Sequence, residues 1–202
     1  MLVKICGITR FEDAEAAIKA GAYAVGFVFW PESPRFVEPL HAREIVARLP
    51  RAITPVGVFV NQPLDHVIDV ATQARLGVVQ LHGDETPDYA ERMAFTVVKA
   101  LPVGPDAAER AEAWPARVTL VLDVQDRVKR GGTGRTVDWQ TAGRIASRRR
   151  VMLAGGLTPE NVARAVAAVR PFGIDVSSGV EHAPGVKDHA RLRALFEVLD
   201  ES

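Results

Sequence analysis

The sequence predicts a (β/α)₈ barrel formed by one domain over residues 1–202, and three observations predict it. Short runs rich in valine and isoleucine alternate with longer amphipathic segments along the whole chain, which is the pattern of strand–helix units around a parallel sheet. The strand candidates number eight, and each is nearly continuous in apolar residues, as strands covered on both faces are. The first is followed by "GITRFEDAE", without the glycine fingerprint that an open dinucleotide-binding sheet usually carries there. A chain of 202 residues falls at the short end of the range for the closed barrel.

Taken in order, the strands are read in "LVKICGI" (2–8), "AYAVGFVF" (22–29), "TPVGVFVN" (54–61), "GVVQLHG" (77–83), "FTVVKAL" (95–101), "RVTLVLDV" (117–124), "RVMLAG" (150–155) and "FGIDVSSG" (172–179). Helical spacing is clearest over 11–20, 39–49, 63–75, 87–94, 138–147, 159–169 and 188–199, and weakest over 102–116. Thr158-Pro159-Glu160 reads as a helix start, a hydroxyl cap with proline in the first turn. No linker, low-complexity tract or composition shift divides the chain.

Composition excludes several classes of function. Twenty-five basic side chains balance 25 acidic ones, and no long run of one sign favours nucleic acid or a membrane surface. A single cysteine rules out an intrachain disulfide framework and suits a reducing compartment. The segment "MLVKICGITRFEDAE" lacks a charged leader with a long apolar run behind it, and no run reaches membrane-spanning length. A cytoplasmic, soluble protein that binds a small molecule or another protein is expected.

In such barrels the chemistry sits where strands exit at their carboxyl ends. Cys6 stands at the first exit, and a lone cysteine elsewhere would read simply as a small buried hydrophobe. Gln80 and His82, Asp123, Gly155 and Gly156, and Asp175 with Ser177, Ser178 and Gly179 stand at later exits. Asp123 ends an interior strand, where a carboxyl must be paired, hydrated or working, and partial desolvation there suits a general acid. Cys6 is then the opposite partner, a base. Arg35, in "WPESPRFVEP", offers a fixed cation able to hold a carboxylate at two points.

Two further features are loops. "QDRVKRGGTGRTVDW", with Gly131, Gly132 and Gly134, reads equally as a mobile cover or as an ordinary surface connection. "AGGLTPEN" and "DVSSGVE" follow strands seven and eight, where backbone amides commonly converge on phosphate in this fold. Glycine serves turns anyway, so two such turns in adjacent positions carry the reading, not one.

Together "VKICGIT", "GFVF" with "SPR", "GVFVN", "QLHG", "VLDV" with "GGTG" and "DW", "LAGGLTPENV", and "DVSSGVE" with "PGVKD" closely resemble the phosphoribosylanthranilate isomerases of tryptophan biosynthesis. The likeness runs from Val3 to about Leu199. It implies a (β/α)₈ barrel that performs an Amadori rearrangement on a phosphorylated sugar–anthranilate, with no metal or organic cofactor. By the same resemblance Cys6 matches the general base, Asp123 the general acid, Arg35 the holder of the anthranilate carboxylate, and Gly155, Gly156, Ser178 and Gly179 the phosphate turns. His82 and Asp175 match supporting positions at the cleft, and Gln80 and Gly132 are grouped with them as substrate-binding candidates. The expected assembly is a monomer or homodimer, with no nucleic-acid or membrane partner.

A free thiol titrates near 8.5, roughly two units above the optimum for a base at neutral pH. Lys4 shares the strand face of Cys6 one layer deeper, and the substrate's own charge or the helix start after Thr9 are other sources of help. Three rivals are weaker. The related histidine-pathway isomerase carries aspartate where Cys6 stands and shows a half-barrel repeat, which is not found here. A phosphate-binding barrel without catalysis needs the glycine turns but not Cys6 and Asp123 together, and a thiol redox protein needs a resolving cysteine that this chain lacks.

Overall fold

In the computed structural model, which describes residues 1–123 and 138–201, every predicted apolar run forms a parallel strand. These are β1 (Leu2–Cys6), β2 (Ala24–Val28), β3 (Thr54–Phe59), β4 (Val78–Leu81), β5 (Thr96–Pro102), β6 (Thr119–Asp123), β7 (Val151–Ala154) and β8 (Gly173–Val176). They pair in sequence order, and β8 returns to β1 with Lys4 opposite Asp175, so the sheet closes into a barrel.

Alternation along each strand divides the residues between two environments. Ile5, Phe27, Phe59, Leu81, Leu101, Leu120, Leu122, Leu153 and Ile174 are fully buried in the layer between strands and helices, each side chain contributing about 1.5–3 kcal/mol by leaving water. Their neighbours face the lumen, where Cys6, Val28 and Val58 form one small cluster and Ala100, Val121 and Ala154 another.

The helices are α1 (Phe11–Ala20), α2 (Pro39–Val46), α3 (Leu64–Gln73), α4 (Pro87–Glu91), α5 (Ala107–Glu112), α6 (Trp139–Ala146), α7 (Val162–Val169) and α8 (His189–Asp200). Most are shorter than their periodicity predicts. The predicted start at Pro159 is displaced: residues 159–161 form a turn, and α7 begins at Val162. There the Asn161 side chain accepts from the Thr158 amide and donates to the Gly156 carbonyl, using local bonds that compete with helix.

One feature has no counterpart in the sequence reading. After β8 the chain makes a 3-10 turn (Ser178–Val180) and a small antiparallel hairpin, β9 (Glu181–Ala183) with β10 (Val186–Lys187). Asp13, fully buried, anchors it by accepting from the Arg10 guanidinium, the Lys187 amide and His189 Nε2. The start of α1, the hairpin and α8 thus meet on one carboxylate.

Candidate active site

Lys4 and Cys6 follow each other on the inner face of β1, and the neighbouring inner position on β8 is Asp175. Lys4 Nζ lies 2.8 Å from Asp175 Oδ2, with both partners of the ion pair buried, and its charge also acts on the Cys6 thiol. Burial works against the Lys4 charge, but Asp175 and the thiol outweigh it and hold the lysine above its ordinary pKa. Burial pushes the Cys6 thiol up, Lys4 pulls it down, and Asp175 pushes it up again. Asp175 divides the help that the lysine gives, so the thiol of the free protein stays largely protonated at neutral pH.

Gly7, directly after Cys6, adopts φ +77°, and a Cβ there would stand 2.6 Å from Arg35 Cδ. Glycine is needed for the turn and for the passage of Arg35 across it. Arg35 is thereby brought beside the Cys6 exit, where its Nε and Nη2 grip both oxygens of Glu181 at 2.6 to 3.1 Å. Lys187, also buried, donates to the Cys6 carbonyl at 2.5 Å, to the Ser177 carbonyl at 3.3 Å and to Glu181 Oε1 at 2.8 Å. Although burial opposes its charge, these two cations hold the Glu181 carboxyl below its usual value. Glu181 and Lys187 are site residues that sequence reasoning missed; the available signal was one charge of each sign close behind the Gly179 turn.

Across the lumen, Gln80 is 1% exposed and lies beneath His82, its Nε2 3.2 Å from the imidazole Nδ1. His82 Nε2 stands 3.7 Å from Asp123 Oδ2. Gln80 Oε1, Asp123 Oδ1 and Asp175 Oδ1 are buried without a hydrogen-bond partner among the described residues. A cavity of about 720 Å³ opens over this side, lined by His82, Ala100, Asp123 and Arg110 among others. Buried acceptors left open in this way await hydrogen-bond donors.

The two glycine turns lie against each other. Gly155 and Gly156 have φ of 92° and 64°, and the space above Gly156 is open. A Cβ on Gly179 would strike the Leu157 carbonyl oxygen, so that glycine is required by the contact between the β7 and β8 turns. Arg191 spans both, donating to the Gly179 carbonyl and to Glu160. The structure therefore gathers Cys6, Arg35, Gln80, His82, Asp123, Gly155, Gly156, Asp175, Ser178 and Gly179 at the carboxyl ends of the strands. Gly132 and the rest of the glycine-bearing loop at 124–137 lie outside the described residues.

Residues 3–198 match the family described as N-(5'phosphoribosyl)anthranilate (PRA) isomerase. The chain belongs to the N-(5'-phosphoribosyl)anthranilate isomerase family. A relative of that name from Geobacter sulfurreducens is 49% identical over 195 residues, 96% of each chain. The crystal structure of the Thermotoga maritima phosphoribosylanthranilate isomerase superposes with a TM-score of 0.92 at 41% identity, covering all of both chains. Another solved phosphoribosylanthranilate isomerase, in complex with reduced 1-(o-carboxyphenylamino)-1-deoxyribulose 5-phosphate, has a TM-score of 0.88 at 39% identity, again covering both chains fully. The chain is a phosphoribosylanthranilate isomerase of tryptophan biosynthesis, an aldose–ketose isomerase on the predicted barrel. Among the described residues no helix is long and apolar enough to cross a membrane.

Proposed function

We propose that Cys6 and Asp123 are the base and acid of the family's Amadori rearrangement, converting N-(5'-phosphoribosyl)anthranilate into 1-(2-carboxyphenylamino)-1-deoxyribulose 5-phosphate. The observation that carries this assignment is their placement on inward positions at the mouth, on β1 and β6, with two strands between them. A sugar lying across the lumen then has an acid on one side and a base on the other.

In the first step Asp123 gives its proton to the furanose ring oxygen. The bond from that oxygen to the anomeric carbon breaks, and the electron pair of the anthranilate nitrogen forms the iminium. The iminium acidifies the adjacent carbon, whose proton Cys6 removes as thiolate, and the resulting enolamine tautomerises to the ketose. The thiol must ionise first, and Lys4 is the cation in position to support that.

Substrate contacts follow the remaining groups. Glu181 occupies the Nε edge of Arg35, and the end of the guanidinium with Nη1 is the edge assigned to the anthranilate carboxylate. The open turn at Gly155 and Gly156, beside Ser178 and Gly179, is assigned to the phosphate. Asp175, which pairs with Lys4 on the lumen wall, is assigned a supporting role at the cleft. The same reading makes residues 1–202 one catalytic domain, working in the cytoplasm as a monomer or homodimer.

The test is loss of the fluorescence of freshly generated phosphoribosylanthranilate with wild type, Cys6→Ser and Asp123→Asn. Turnover that collapses in both variants while their folds survive is expected. Near-normal turnover in either would remove that residue from its role. A folded wild type that binds phosphate ligands without turnover would favour a binding barrel.

A further inference from the structure

We propose that Gln80 and His82 are positioning residues for Asp123, with Gln80 holding the imidazole as its Nε2–H tautomer so that a hydrogen-bond donor faces the acid's carboxyl. This rests on the reading of Asp123 as the general acid.

Gln80 and His82 are two residues apart and so point to the same side of β4. Between β4 and β6 lies β5, whose inward residues include Val98 and the small Ala100, with Pro102 opposite Asp123. The imidazole passes over this low wall and faces the carboxyl of the second strand along. Gln80 is covered by that ring and does not reach the cleft. Its place in the chemistry is through His82.

A carboxamide nitrogen only donates, so its bond to Nδ1 makes Nδ1 the acceptor. The neutral imidazole then carries its hydrogen on Nε2, which faces Asp123 Oδ2. A donor at that point faces Oδ2, while Oδ1 is buried without a partner among the described residues. The opposite tautomer would present a bare Nε2, which would draw the acid's proton into an internal hydrogen bond and withhold it from the ring oxygen. Once the proton has been given, Nε2–H faces a carboxylate anion, and the 3.7 Å gap closes to a charge-assisted bond. The pair therefore orients the acid before transfer and stabilises its anion after it.

Three readings test this on the full chain. Long-range proton–nitrogen correlation spectra of ¹⁵N-labelled protein, with His82 assigned through His82→Gln, should show the Nε2–H tautomer in wild type and a mixture in Gln80→Met. His82→Ala and Gln80→Met should lower kcat roughly 10- to 100-fold, with KM unchanged within about twofold. His82→Gln, whose amide N–H can stand where Nε2–H stands, should recover most of that loss. An Nδ1–H tautomer in wild type, an unchanged kcat in His82→Ala, or a loss confined to KM would overturn the proposal. Asp123→Asn separates the two claims: full turnover there removes the acid itself, whereas collapse there beside an unaffected His82→Ala removes only the positioning role.

Discussion

Lys4 donates to Asp175 across 2.8 Å, one layer below Cys6 on the lumen wall. The ammonium thus has two clients, a carboxylate that neutralises it and a thiol that it helps to ionise. Lys4→Met removes the cation and leaves Asp175 as an uncompensated neighbour; both changes raise the thiol pKa further. Alkylation of Cys6 by iodoacetamide at pH 8 should slow about tenfold for each unit of that rise, with turnover falling in the same direction. Faster alkylation in the variant would mean that the lysine does not support the thiolate.

The pH course of alkylation in wild type follows from the same geometry. Burial raises the folded thiol above its ordinary value, so its reactivity should go on climbing past about pH 8.5 rather than levelling there. The sign for stability is the reverse of a gain. The unfolded thiol ionises first, so folding loses stability as pH rises above the unfolded value. A reactivity plateau below pH 8 would contradict the raised thiol.

Glu181→Gln takes the shared anion from Arg35 and Lys187, which it pairs at 2.6 and 2.8 Å. Leaving the buried Lys187 and the half-buried Arg35 without it should cost about 3 kcal/mol in urea unfolding at pH 7. The Glu181 carboxyl is held below its usual value, so the advantage of wild type is full above pH ~4.3 and fades as pH falls below that toward the depressed folded value. Equal unfolding midpoints at pH 7 would show that the pair contributes nothing.

Gly179→Ala should separate the β7 and β8 turns, because the added methyl meets the Leu157 carbonyl. Overpacking of this kind costs about 1–3 kcal/mol. Inhibition by inorganic phosphate should weaken along with a rise in KM for the substrate. Unchanged phosphate inhibition would place the anion elsewhere.

The barrel was legible because covered strands are written as nearly continuous apolar runs, even where a buried polar residue such as Lys4 or Lys99 interrupts one. The fifth run, "FTVVKAL", contains Lys99, which pairs with Glu85 at 2.8 Å in the helix-facing layer; a lysine inside an apolar run was a visible sign of a buried partner that periodicity could not name. Cys6 and Asp123 were legible by position, since strand exits are countable. The hairpin at Glu181–Lys187 was not, because strands of three and two residues carry no period. Helix ends were overread where side chains such as Asn161 bind the backbone locally. The dual attachment of Lys4 was beyond the sequence, which fixes its face but not the reach of its side chain.

The pairing of β1 with β8 also sets an order of events. Lys4 and Asp175 lie 171 residues apart along the chain, so they meet only after nearly all of it has been made and folded, and loop closure over that distance comes late. Until then Cys6 is an unshielded thiol on the earliest strand, without its lysine pair, the Arg35–Glu181 clasp or the Lys187 tether. Nascent or partly unfolded chains are therefore the forms in which this cysteine is open to oxidants, and ring closure makes the molecule chemically durable at the moment it becomes catalytically complete.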